Sequence, residues 1–259
     1  MQSDNTNNVS SIGILVPMQE EVELLLFDLA HAEKTELASR IFYKGNLCGK
    51  EIVLAKSGIG KVASSFTASL LIHHFGVQSI LVTGVAGGIA DQIKVGDLAI
   101  ATQAVQHDMD CSPLFPKFEI PATGVTFFES DKVLIKQLEE AAITYCELDF
   151  ETQISMEIRK ELDIEKPHIH VGILASGDQF IGKMVQWNKI RTELPDTLFV
   201  EMEGAAVAQV CYDSNIPWCS IRTISDKANA VAHLDFNLFL NHAAKIYTAG
   251  VVKRFLEKL

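Results

Sequence analysis

The sequence predicts an α/β fold: an open, largely parallel or mixed sheet with helices on both faces. Apolar runs of strand length alternate with segments whose apolar residues recur at helical spacing, the pattern of a layered α/β protein. Many of the strand-length runs end in glycines and carboxylates. A chain of 259 residues that is 48% hydrophobic and 21% charged is long enough to bury one large core. A single domain over residues 12–259 is therefore expected, preceded by a polar, disordered tail at 1–11.

Residues 12–17 are an apolar run followed by Met18-Gln19-Glu20-Glu21, and Met18, Val22, Leu25, Leu26 and Leu29 then repeat at helical spacing. Strand gives way to helix there, so Glu20 and Glu21 fall in a first helical turn, where the helix dipole alone would favour acids. Residues 41–43 and 51–56 read as strands joined through Gly45-Asn46 and Gly49. Ser57-Gly58-Ile59-Gly60-Lys61 opens a helical segment over 62–75. Residues 79–83 form a buried-type strand, and Gly84-Val85-Ala86-Gly87-Gly88 follows as a turn that lets the backbone approach a ligand closely. After Gly96-Asp97, a strand over 98–105 runs into His107-Asp108-Met109-Asp110. That cluster reads as a hydrogen-bonded loop in preference to a metal site. His168 and His170, either side of Ile169, read as strand-face residues.

Residues 111–128 make a long loop rich in apolar side chains, the composition of a loop that caps a pocket or an interface. A helix is expected over 133–145 and an irregular charged segment over 147–168. A strand over 171–175 ends in Ser176-Gly177-Asp178-Gln179-Phe180-Ile181-Gly182. In the stretch 197–211, Leu198, Phe199 and Val200 are an apolar run and a helix begins at Gly204, which puts Glu201 and Glu203 at the handover. Two apart on a strand, they would share one face, with Met202 on the other. They either complement a helix dipole or aim together into a cleft. The last central strand, 217–224, ends in Ser225-Asp226. A final helix is expected from about 238 to 259, after His233-Leu234-Asp235-Phe236.

Composition removes several functions. A net charge of -11 without any cluster of Lys and Arg argues against nucleic acid. No window reaches the roughly 18 unbroken apolar residues of a membrane helix, and the start lacks the order of a secretion signal, so a cytoplasmic protein is expected. Cys48, Cys111, Cys146, Cys211 and Cys219 are scattered and never spaced as C-x-x-C, which suggests reduced thiols. The glycine turn at 57–61 lacks the P-loop spacing, and that at 84–88 is not G-x-G-x-x-G.

In open α/β sheets ligands bind beyond the carboxyl ends of the strands. Those ends carry Met18 with Glu20 and Glu21, the glycines of 84–88, His107-Asp108, the segment 176–181, Met202-Glu203 and Ser225-Asp226. Carboxylates beside apolar side chains suit cleavage of a bond to an anomeric carbon. One group protonates the leaving group while a carboxylate activates water on the opposite face of an oxocarbenium-like transition state. Burial raises a carboxyl pKa and a helix N-terminus lowers it; with Pro17, Met18 and Val22 around Glu21, burial is expected to prevail.

Taken together, Gly13-Ile-Leu-Val-Pro-Met18-Gln-Glu-Glu21-Val, Lys56-Ser-Gly-Ile-Gly-Lys61, Thr83-Gly-Val-Ala-Gly-Gly88, Ser176-Gly-Asp-Gln-Phe-Ile181, Val200-Glu-Met-Glu203 and Arg222-Thr-Ile-Ser-Asp226 resemble the 5'-methylthioadenosine/S-adenosylhomocysteine nucleosidases. The likeness runs in order over about residues 12–257. It implies a three-layer α/β/α sandwich around a mixed, partly closed central sheet, as in the purine nucleoside phosphorylase superfamily, and a homodimer. It makes Glu21 the base for the attacking water, and Asp226 the donor of a proton to adenine N7 with Ser225 holding its carboxylate. Glu203 would bind the ribose hydroxyls, with Met202 against the sugar and Arg222 supporting the acids. Phe180 would stack on adenine while the Ile181 backbone reads its edge. Met18, Val85 and Gly87 would line the same site. Ile59 and Phe236, with Cys111, Leu114 and Phe115 from the partner's 111–118 loop, would line a slot for the 5'-thio substituent. No cofactor or metal is implied. Val85 stands where a serine is common, and Cys111 and Leu114 where valine and phenylalanine are. A phosphate-dependent phosphorylase and a futalosine-type nucleosidase are the alternatives; a phosphate nucleophile would meet negative charge at Glu20 and Glu21, which favours water.

Overall fold

A computed structural model describes residues 11–228 and 232–259. Of the tail expected at 1–11, residues 1–10 lie outside them, whereas Ser11 is buried and its carbonyl accepts the Gln78 N–H. Among the described residues the strands form one ten-stranded mixed sheet. Its centre is β1 (Ile12–Val16), parallel to both β4 (Lys50–Lys56) and β5 (Ser79–Gly88). Beyond β4 the sheet ends in the antiparallel β3 (Arg40–Leu47) and β2 (Ala30–Leu37). On the other side β5 pairs with both β9 (Thr197–Glu201) and β10 (Trp218–Asp226). β10 pairs with β6 (Leu98–Gln106), β6 with β8 (Ile169–Ser176), and β8 with β9, so five strands close into a small barrel at one end of the sheet. A short β7 (Phe128–Glu129) adds to β6.

Strand periodicity supplies both helical layers. Ile12, Ile14 and Val16 of β1 pack on one side with Val22 and Leu25 of α1 (Gln19–Asp28), Leu134 and Leu138 of α3 (Lys132–Thr144) and Val252 of α9 (Lys245–Leu256). Leu15, on the opposite face, packs with Leu71 of α2 (Lys61–His73) and Val207 of α7 (Gly204–Ser214). The expected three-layer sandwich around a mixed, partly closed sheet is thus what the chain forms.

Several local expectations are corrected. Residues 84–88 do not turn: they extend β5, because their backbone pairs with β10 on one side and β9 on the other. β2 escaped notice because its residues are polar and mostly exposed, as an edge strand's often are. The segment 147–168 is largely helical. Its elements are a π turn at Tyr145–Asp149, α4 (Phe150–Gln153) and α5 (Met156–Glu161), and they bury Tyr145, Cys146 and Phe150 on the core beneath a charged outer surface. A helix α6 (Met184–Glu193) buries only Ile190 and so shows little periodicity. The last helix begins earlier than expected: α8 (Ala232–Phe239) takes in 233–236, and a π turn at Leu240–Ala244 joins it to α9.

If α3 packs in this phase, Leu138→Ala, at a fully buried position, costs about 2–5 kcal/mol in urea unfolding. Val133→Ala, at an exposed position of the same helix, stays within about 0.5 kcal/mol.

Candidate active site

The carboxyl ends of β1, β5, β8, β9 and β10 surround a cleft lined by Met18, Glu21, Ile59, Val85, Gly87, Phe180, Ile181, Met202, Glu203, Ser225, Asp226 and Phe236. Pro17, Ala86, Gln179, Val200 and Glu201 complete the wall. Among these lining residues there are four carboxylates and no Lys, Arg or His.

Glu21 enters from the first turn of α1 and is fully buried. Its Oε2 accepts the Met18 N–H at 3.0 Å and its Oε1 the Val85 N–H at 2.8 Å. Arg222 reaches it past Gly84, which stands opposite Arg222 in the β5–β10 register and has φ +135°. A Cβ at residue 84 would fall 2.7 Å from both Arg222 Nη1 and Glu21 Oε1, so the bare α-carbon is what admits both groups. Burial raises the Glu21 pKa from its ordinary 4.5 to about 7, against the Arg222 charge and the two amides. Burial thus outweighs the Arg222 charge and the Met18 and Val85 amides, in the direction expected for Glu21.

Glu201 and Glu203 play different parts. β9 stops at Glu201 and the chain bends through Met202 into α7, so the strand alternation does not apply and all three residues line the cleft. Glu201 is largely committed to structure. It accepts the Glu203 and Gly204 N–H groups at the start of α7 and hydrogen bonds from Ser176 Oγ and Arg222 Nη2. Glu203 Oε1 accepts the Gly60 N–H at 2.9 Å, and its Oε2 lies 3.5 Å from Arg222 Nη2. Burial first, and the neighbouring Glu201 second, push the Glu203 pKa upward. Arg222, also buried, donates to the Thr83 carbonyl at 3.2 Å and stands behind the cleft wall.

Asp226 is set by a bulge. The β5–β10 register shifts between Ile224 and Asp226, leaving Ser225 as the extra residue, a device that re-aims side chains beside ligand sites. Ser225 Oγ donates to Asp226 Oδ2 at 2.9 Å and the Ala228 N–H to Oδ1 at 2.8 Å. A Cβ at Gly87 would lie 2.9 Å from Asp226 Oδ1, so this glycine too makes room for an acid. Glu21 holds on to residue 85 and Asp226 abuts residue 87, places about 7 Å apart along one strand.

The rings of Phe180 and Phe236 meet edge to face, centroids 5.8 Å apart, at the cleft. Cys111, Leu114 and Phe115 do not line the cleft of the same chain; Leu114 is 83% exposed and Phe115 38%. His107 and Asp108 stand outside the cleft, and Asp108 is engaged by Lys61 Nζ at 2.7 Å. His170 Nε2 lies 2.8 Å from the buried Asp97. Sequence reasoning missed Ser176 as a clamp on Glu201, although it ends β8 as the other site residues end their strands.

The model of the phosphorylase superfamily matches residues 11–257. The chain belongs to the phosphorylase superfamily. Within it, solved structures of nucleosidases are similar over nearly the whole chain. One is the 5'-methylthioadenosine/S-adenosylhomocysteine nucleosidase of Neisseria meningitidis in complex with methylthio-immucillin-A, at 30% identity and TM-score 0.85, covering 96% of this chain and 100% of that one. The Helicobacter pylori enzyme of the same name, in complex with a pyrrolopyrimidine-bearing pyrrolidinol, is 36% identical with TM-score 0.80, over 97% and 99%. The futalosine hydrolase of Helicobacter pylori is 35% identical with TM-score 0.81, over 98% and 100%. The resemblance read from the sequence is therefore borne out at the level of the family.

Because the native state keeps a proton on Glu21 that the unfolded chain releases above 4.5, its contribution to stability is full below that pH and is lost as pH rises through about 7. The stability of Glu21→Gln relative to the parent should therefore increase between pH 5 and pH 8, by on the order of 2–3 kcal/mol in chemical denaturation.

Proposed function

We propose that the protein is a purine nucleosidase that hydrolyses the N-glycosidic bond of 5'-methylthioadenosine and S-adenosylhomocysteine, releasing adenine and the 5-thioribose product. The observation that carries this reading is a cleft walled by carboxylates and apolar side chains, with no cation among the described residues that line it. A phosphorolytic enzyme needs cationic and amide donors for its anionic nucleophile, whereas water needs only a base.

In this reading Glu21 takes a proton from water as the oxygen attacks the anomeric carbon and the bond to the purine breaks. A carboxylate raised to about 7 is close to the optimum for a base working near neutrality. Asp226, steadied by Ser225, delivers a proton to N7 of the departing adenine. Glu203 binds the ribose hydroxyls with Met202 against the sugar, and Phe180 and Ile181 hold the base. Met18, Ile59 and Phe236 offer an apolar wall to the 5' substituent, which suits a thioether better than a phosphate. Leu114, Val62 at 81% and Ile59 at 57% exposure are apolar surfaces that a second copy of the chain would cover, so a homodimer in which the 111–118 loop closes the partner's cleft belongs to the proposal. The five cysteines are free, as in proteins of a reducing compartment, so a cytoplasmic place belongs to the proposal, and methionine salvage follows from the proposed substrates; no helix among the described residues is long and apolar enough to cross a membrane.

The similarity to a futalosine hydrolase at 35% identity supports a second reading, in which the 5' substituent is larger. Purified protein should release adenine from 5'-methylthioadenosine, followed chromatographically, at the same rate with and without phosphate. Release that requires phosphate would make it a phosphorylase; release from futalosine and not from methylthioadenosine would favour the second reading. On the preferred substrate kcat/KM should fall as pH drops below about 7, where Glu21 gains its proton. Glu21→Gln should lose about 10²–10⁴-fold in turnover, and Asp226→Asn a comparable amount; near-parental activity in either variant would remove that residue from its role.

A further inference from the structure

We propose that Asp178 is a positioning residue, which holds the Gly60 amide on Glu203 through a closed ring of hydrogen bonds with Lys61 and Asp108. Three strand-end loops meet at this ring, those following β4, β6 and β8. Asp178 Oδ1 accepts the Lys61 N–H at 2.8 Å, the Asp178 N–H donates to Asp108 Oδ2 at 2.9 Å, and Lys61 Nζ donates to Asp108 Oδ1 at 2.7 Å. A spur fastens the ring to α7: Lys61 Nζ also donates to Gln106 Oε1 at 3.1 Å, and Gln106 Nε2 to Gln209 Oε1 at 2.7 Å.

The ring bears on the residue before Lys61. Gly60 has φ +98°, and a Cβ there would lie 2.9 Å from Asp178 Oδ1, so the carboxylate rests against a bare α-carbon. Lys61 is the first residue of α2, and its N–H is one of the donors a helix leaves unpaired. By taking that N–H, Asp178 fixes the plane of the preceding turn, and with it the Gly60 N–H that points 2.9 Å to Glu203 Oε1. The same ring fixes Ile59 on one side and, two and three residues beyond Asp178, Phe180 and Ile181 on the other; all three line the cleft. Lys61 and Asp108 are each only 18% exposed at their side chains, so their pairing is less screened than a surface ion pair. Asp178 itself does not line the cleft. Its effect on the reaction passes through Gly60 and Glu203.

The proposal rests on the reading of Glu203 as the ligand of the ribose hydroxyls, and its test separates the two. The measurement is kcat/KM for the ribonucleoside substrate and for its 2'-deoxy and 3'-deoxy analogues, in the parent, Asp178→Ala, Asp178→Asn and Glu203→Gln. Asp178→Ala should lose about tenfold on the ribonucleoside, the size of one misaligned hydrogen bond, and about twofold or less on the analogue that lacks the hydroxyl Glu203 binds. Asp178→Asn keeps an oxygen for the Lys61 N–H and should recover most of the activity. Should Asp178→Ala fail to fold, Lys61→Met, which opens the ring at Asp108, must show the same hydroxyl-selective loss. Equal losses on ribo and deoxy substrates, while the parent discriminates between them and Glu203→Gln does not, would overturn the positioning role. Absence of discrimination in the parent would refute the reading of Glu203 and the proposal with it.

Discussion

One buried guanidinium faces three buried carboxylates, and the site depends on that imbalance. Arg222 hydrogen-bonds Glu201, approaches Glu203 at 3.5 Å and acts on Glu21 through its charge. A single positive charge cannot hold three negative ones out of water without cost, since each ionised carboxylate lost from solvent carries a penalty of several kcal/mol. Glu201 receives the closest contact, with two helix-terminal amides and a serine hydroxyl besides. Glu21 and Glu203 are left with less, and burial keeps both inclined to hold a proton. A set of acids poised between charged and neutral near physiological pH is what proton transfer needs.

The strands make this arrangement possible at little distance. β5 runs through the middle of the site, and two of its glycines stand opposite acids: Gly84 admits Glu21 and Arg222, and Gly87 admits Asp226. The bulge at Ser225 turns Asp226 toward Gly87. Helix ends supply the remainder, with Glu21 in the first turn of α1, Glu203 at the start of α7, and the Lys61 amide at the start of α2 tied to Asp178. Barrel closure between β5 and β9 then brings Glu201 and Glu203 across from Glu21.

Much of this was legible in the sequence because strands and helices announce themselves by periodicity, and ligand sites of layered α/β folds gather at strand ends. Glu21, Glu203, Asp226, Phe180 and Ile181 come together as that rule implies, and Phe236 of α8, which only the family resemblance pointed to, joins them. The failures have physical causes. Residues 84–88 look like a turn because glycine carries no strand preference, yet pairing on both sides keeps them extended. Polar β2 offers no alternation since most of its residues meet solvent, and the segment 147–168 hides its buried Phe150, Ile154, Leu162 and Ile164 among charges. The different duties of Glu201 and Glu203 were beyond local sequence, because they follow from Arg222 and Ser176, partners 21 and 25 residues from Glu201.

The account stands on Glu21 being held near neutrality by burial against the pull of Arg222. The most direct measurement is a carboxyl titration of Glu21 in the folded protein, by ¹³C NMR with glutamate labelling and a Glu21→Gln control to assign the signal. A midpoint near 7 is the predicted result. A midpoint at the ordinary 4.5 would mean that Arg222 and the two amides outweigh desolvation, and would contradict the account.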